Sequence, residues 1–159
     1  MKNLDLLAAQ TAQKIIADTT DGHKATDVDN LITKALGVLQ ENGVYAGLLY
    51  LYSRSAGEQP VAKQIRLRLL HLTSELALTP PTDRQGGNKM VVEDARASTA
   101  LQFLTDHICN DLDRLLMVKQ LWEQTLIYGR YGAKAREAEE KAREDETKVR
   151  LAEEAKTKP

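Results

Sequence analysis

One cysteine, Cys109, in 159 residues leaves no partner for an intrachain disulfide, which excludes a disulfide-stapled scaffold and suits a reducing compartment. Neither sign of charge dominates. Lysine plus arginine number 22 and aspartate plus glutamate 23, so the net charge of −1 selects neither nucleic acid nor an acidic surface, and any basic site must be a local patch. Eighteen consecutive apolar residues occur nowhere, and the opening "MKNLDLLAAQTAQKII" spaces its apolar residues as a helix does, without the compact apolar region of a signal peptide. These absences predict a soluble, cytoplasmic protein with no membrane partner. No strand signature and no internal repeat is read. Both phosphate-cradling glycine motifs, G-x-x-x-x-G-K-[ST] and G-x-G-x-x-G, are missing as well, and Gly86-Gly87 alone marks a loop.

What the chain does have is helical periodicity. Leu4, Leu7, Ala8, Ala12, Ile15 and Ile16 share one stripe of a first helix. A second begins near Thr26, whose spacing to Asp29 is that of a capping box, and carries Val28, Leu31, Ile32, Ala35 and Leu39 on one face. The stretch "LQENGVYAGLLYLYSR" then poses a choice between a hairpin and a helix–turn–helix. A hairpin needs alternation on both sides of Asn42-Gly43. The upstream side has period 3.6, so the pair is read as a left-handed helix cap, followed by a third helix that buries Tyr45, Leu48, Leu49 and Tyr52 and turns Gly47, Tyr50 and Arg54 the other way.

Pro60 opens a fourth helix with Val61, Ile65, Leu69, Leu72 and Leu76 inward and Lys63, Arg66 and Ser74 opposite. "TPPTDRQGGNKM" is read as a surface loop. Met90, Ala97, Leu101, Leu104 and Ile108 form the stripe of a fifth helix, and a last one starts near Asp111. The expectation is an all-α fold: a bundle of five to six helices over residues 1–133, with a charged helical extension over 134–159.

The last 27 residues hold eight basic and eight acidic side chains and no aromatic. Glu137–Lys141, Glu139–Arg143, Glu144–Lys148 and Glu146–Arg150 have the favourable order of i,i+4 pairs. This is the pattern of a solvated helix without its own core. The sharper alternative is a coiled-coil seam through Ala135, Ala138, Ala142, Val149 and Ala152, interrupted by Asp145.

Catalytic chemistry finds little foothold. His107 and Cys109 supply two of the roughly four ligands a zinc site needs, while His23 and His71 belong to other segments. Asp106, Asp111 and Asp113 beside His107 read as helix caps, because no activated nucleophile or cofactor motif accompanies them. No enzyme, metal or cofactor is expected. Arg54 with Tyr50, and Lys63 with Arg66, can hold phosphates with an aromatic for stacking. They can equally be solvated helix faces, with Tyr50 packing across Gly47.

Two stretches, "ITKALGVLQENGVYAGLLYLYSR" and "RLLMVKQLWEQTLIYGRYGAKA", resemble the small subunit of type III-B (Cmr) CRISPR effector complexes, and "LDLLAAQTAQKII" is similar to that family's first helix. The resemblance covers about half of the chain, with the glycine junction its most specific part. It implies a non-catalytic helical subunit of an antiviral assembly, stacked in several copies beside the other effector subunits and binding target RNA or the guide–target duplex. It implies no small-molecule substrate. Asn42, Gly43 and Val44 to Leu51 match as a structural junction, and Arg130 with Lys134 as late-helix basic positions. With the pairs above, the candidate RNA-binding residues are Tyr50, Arg54, Lys63, Arg66, Arg130 and Lys134. The alternative is a homo-oligomeric helical adaptor that binds protein and never meets nucleic acid.

Overall fold

Asn3 starts the first helix: its Oδ1 accepts the Leu6 N–H at 3.1 Å and satisfies one of the free donors of the first turn. In the computed structural model, which describes residues 2–76 and 96–158, the chain runs through α1 (Leu4–Thr20), α2 (Ala25–Asn42), α3 (Val44–Tyr52), α4 (Gln59–Glu75), α5 (Ala97–His107) and α6 (Leu112–Thr157). No strand occurs among the described residues. α1 and α2 both lie along the first half of α6, α3 folds back on α2, α4 packs on α1 and α3, and α5 covers α3. Trp122, Ile15, Ile32, Leu39, Leu48, Ile65, Leu69, Leu72, Leu104 and Leu126 are fully buried where these helices meet. The expected loop at 79–90, with Met90 of the fifth stripe, lies outside the described residues.

The α1 stripe is inward at Ala8, Ala12 and Ile15, while Leu4 at its start is exposed. α2 keeps all five expected core positions buried, but it begins one residue before Thr26. Ala25, wholly buried, pulls the first turn into the core, so Thr26 sits inside the helix and no side chain caps it. Gly43 ends α2, its N–H bonded to Leu39 O at 2.9 Å. Its φ of 93° is the conformation only glycine adopts without strain, although ψ of −175° lies outside the left-handed helical basin.

α3 buries a different face from the expected one. Val44, Gly47, Leu48 and Leu51 are inside, Tyr52 is half-buried, and Tyr45 and Leu49 are 41% and 44% exposed. At 100° per residue this is about a quarter-turn rotation. An all-round apolar helix carries no pattern to choose its face. Packing on α2 and α4 sets it, with Gly47 against Leu39 of α2, where a Cβ would sit at an ordinary contact distance of 3.4 Å.

α4 is covered on two sides, by α1 and by α3, so its buried surface exceeds the single stripe. Val61, Ile65, Leu69 and Leu72 are inside as expected, and so are Ala62, Leu70, Thr73 and Arg66. Arg68 on the α1 side meets Asp18 at 2.6 Å.

α6 is one continuous helix of 46 residues. Asp111 caps it through the Arg114 N–H at 3.1 Å. Val118, Leu121, Trp122, Thr125, Leu126, Gly129 and Ala133 face the bundle, and a Cβ at Gly132 would come 3.1 Å from Ile16 Cγ1 of α1. Beyond Ala133 only Glu137 and Glu140 are even partly covered among the described residues. The four expected tail pairs are not the ones formed. Arg136 reaches Glu139 and Glu140, and Arg150 reaches Glu154, each at about 4 Å with the basic residue first. Exposed pairs of this kind contribute so little that side-chain rotamers decide among them. Among the described residues no helix is long and apolar enough to cross a membrane.

Candidate nucleic-acid interface

The six basic and aromatic candidates fall into two groups, one at the α3–α4 corner and one on α6 against α2. At the corner, α3 ends on Tyr52 and its last carbonyls point at the turn that follows. Arg54 folds back over them. Its Nε donates to Tyr50 O at 3.1 Å, its guanidinium carbon stands 3.6 Å above the centre of the Tyr50 ring, and Glu58 lies 3.7 Å from its Nη1. A cation at a helix C-terminus complements the dipole there, and the ring face adds a cation–π attraction.

Gln59 ties the corner together. Its Nε2 donates to Tyr52 O at 3.0 Å and to Arg54 O at 2.7 Å, while its Oε1 accepts from Arg66 Nη1 at 3.0 Å. Arg66 stacks 4.5 Å from the centre of the Tyr52 ring and is 5% exposed. The expectation that Arg66 shares a solvent face with Lys63 is therefore corrected. Lys63 is exposed, whereas Arg66, one turn on, is drawn inward because α3 covers that side of α4. Tyr50 is half-buried against the core, with the Arg54 guanidinium occupying one ring face.

On α6, Arg130 Nε lies 3.8 Å from Asp29 Oδ1 of α2, too long for a hydrogen bond, and that buried nitrogen has no acceptor. Its side chain is 40% exposed. Lys134, one turn later, is exposed. Of the six candidates, a polyanion can therefore reach Lys63, Lys134 and the outer edges of Arg54 and Arg130. Gln59, Glu58 and Asp29 were missed by sequence reasoning. A glutamine or glutamate next to a helix-opening proline is a usable signal for a corner contact, but Asp29 reaches Arg130 across 101 positions and no local pattern marks it.

The aspartates around His107 act as expected of caps and local acceptors: Asp111 caps α6, and Asp106 accepts from Gln102 Nε2 at 2.8 Å. His107 packs against Phe103 with ring centres 5.4 Å apart and the planes tilted by 44°. Among the described residues no group of three or more His, Cys, Asp or Glu is placed to hold a metal ion. Burial pushes the Cys109 thiol above its ordinary pKa, which disfavours the thiolate. Tyr128 on α6 donates its hydroxyl to Asp5 of α1, and that bond raises the tyrosine pKa by holding the protonated form.

No protein-family model matches the chain, and neither does any curated protein or any solved structure.

Proposed function

We propose that the chain is a non-catalytic helical subunit of a cytoplasmic RNA-guided effector assembly of the type III-B CRISPR kind, present in several copies and lining the path of target RNA. The observation that carries this reading is where the resembling segments fall. They are α1, α2 with α3, and the first half of α6, the elements that pack on one another to form the centre of the bundle, with Gly43 at positive φ between α2 and α3. Lys63 with Arg54 at the α3–α4 corner, and Arg130 with Lys134 on α6, give that bundle two modest cationic patches. At a net charge of −1 such a surface binds weakly per copy, and repetition along a filament multiplies it.

A second reading, a homo-oligomeric protein adaptor with no nucleic-acid role, is favoured by one observation: Arg54, Arg66 and Arg130 all have partners within the chain. Affinity purification from the source cells, with bound RNA sequenced, separates the two. Short guide RNAs together with large backbone subunits support the effector reading. A protein partner without RNA overturns it in favour of the adaptor.

A further inference from the structure

The exposed half of α6 repeats every seven residues. "AREAEEK" from Ala135, "AREDETK" from Ala142 and "VRLAEEA" from Val149 follow one another without a break. With Ala135, Ala142 and Val149 at heptad position a, position d holds Ala138, Asp145 and Ala152, and one heptad earlier it holds Tyr131. All of these are exposed, Tyr131 at 65% and Val149 at 58%. The flanks are sorted by sign. Position g holds Lys134, Lys141 and Lys148, and position e holds Glu139, Glu146 and Glu153.

Of the arginines at position b, Arg136 pairs within the helix with Glu139 and Glu140, and Arg150 with Glu154. Among the described residues no ion pair engages Lys134, Lys141, Lys148, Glu146 or Glu153. The flanking charges that a partner helix would meet are thus largely left over.

We infer that this face binds the same face of a second copy of the chain, forming a parallel, in-register two-stranded coiled coil over residues 134–155. The charge pattern decides both the occupant and its direction. In a parallel pair each g residue meets the e residue five positions on in the other strand, which sets Lys134 against Glu139, Lys141 against Glu146 and Lys148 against Glu153 on both sides of the seam. An antiparallel pair places g against g and e against e, lysine on lysine and glutamate on glutamate. The alanines let the two helices approach closely, and the Val149 layer supplies the larger apolar contact, with exposed Tyr131 just before the coil. Asp145 is the one unfavourable layer, with two carboxylates facing each other; it weakens the pair and keeps it reversible.

The coil begins where the bundle ends, and at 1.5 Å per residue it extends ~30 Å beyond it. The pairing joins two copies about a two-fold axis; it engages Lys134 and leaves Lys63, Arg54 and Arg130 available to RNA.

Sedimentation of the full chain after nuclease treatment, over roughly 10 µM to 1 mM where weak dimers reveal themselves, tests this. The wild type is expected to pass from monomer to dimer across the range. Glu139→Lys, Glu146→Lys and Glu153→Lys together should raise the dissociation constant about tenfold or more by setting lysine against lysine. Adding Lys134→Glu, Lys141→Glu and Lys148→Glu, which exchanges the two flanks, should restore it. Asp145→Leu should tighten it, and Ala152→Cys in a Cys109→Ser background should give a disulfide-linked dimer on oxidation. A wild type that stays monomeric throughout, a triple reversal without effect, or an exchange that fails to restore pairing overturns the inference.

Discussion

Trp122 Nε1 donates to Thr73 Oγ1 at 3.0 Å, inside the core and across 49 positions of sequence, and Thr73 Oγ1 in turn donates to Leu69 O at 2.9 Å. The only tryptophan of the sequence is thereby satisfied, and the bond ties α6 to α4 inside the core. Thr73→Val keeps the volume and leaves a buried indole N–H without an acceptor, so it should cost ~1–3 kcal/mol, and Thr73→Ser much less. Urea denaturation followed by Trp122 emission measures both. Equal midpoints for wild type and Thr73→Val would show the bond to be dispensable.

The rotation of α3 separates two neighbouring leucines. Leu48 is fully buried and Leu49 is 44% exposed. Leu48→Ala should therefore lose ~2–5 kcal/mol, and Leu49→Ala less than ~1 kcal/mol. The reverse order in chemical denaturation would place the core on the other face.

Glycine substitutions probe the α2–α3 junction. Gly43→Ala puts a side chain at φ of 93° and should destabilise by ~1 kcal/mol or more. Gly47→Ala meets Leu39 at an ordinary contact distance of 3.4 Å and gains helix propensity, so it should be near neutral. Thermal melts of the two variants check the contrast.

Helix number, the Gly43 junction and the Asp111 cap were legible because each is written in local spacing. Val28, Leu31, Ile32, Ala35 and Leu39 need only a 3.6-residue period to be placed. The face of α3 was not legible, since "VYAGLLYLY" is apolar on every side and a neighbour chose for it. The candidate site was legible in part. Tyr50 beneath Arg54 follows from an i,i+4 step on one helix end, whereas the burial of Arg66 depends on how α3 lies over α4, and the Asp29–Arg130 approach is wholly tertiary. The a/d seam of the tail through Ala135, Ala138, Ala142, Val149 and Ala152 was legible as an alternative to a solvated helix, whereas the sorting of lysine to one flank and glutamate to the other was not, because i,i+4 pairing accounts for the same charges.

Arg66 separates a structural from a binding role. With 5% exposure and its guanidinium held by Gln59 and Tyr52, Arg66→Ala should lower stability by ~1–3 kcal/mol through lost packing and an orphaned Gln59 oxygen. Lys63→Ala, exposed one turn away, should leave the melting temperature within a degree or two. Calorimetry of both variants distinguishes them.

Alkaline stability carries the mark of Tyr128. Its hydrogen bond to Asp5 raises the folded-state pKa, so the bond contributes fully below the ordinary tyrosine range and is lost as pH rises through the higher folded value. Tyr128→Phe should lose stability below about pH 10 and show a shallower decline above it. Parallel pH profiles for the variant and the wild type would remove this contact from the account.

RNA capture by the reconstituted assembly tests the proposed function most directly. Arg54→Ala, Lys63→Ala and Arg130→Ala, combined, leave the tail seam untouched and should leave the isolated chain folded. The account predicts weaker capture of target RNA, independent of sequence because phosphate contacts carry no base identity. The deficit should shrink as salt rises, each lost contact lowering the salt slope by ~0.7 on single-stranded RNA. Equal affinity of wild-type and triple-variant assemblies across roughly 50 to 200 mM salt would contradict it.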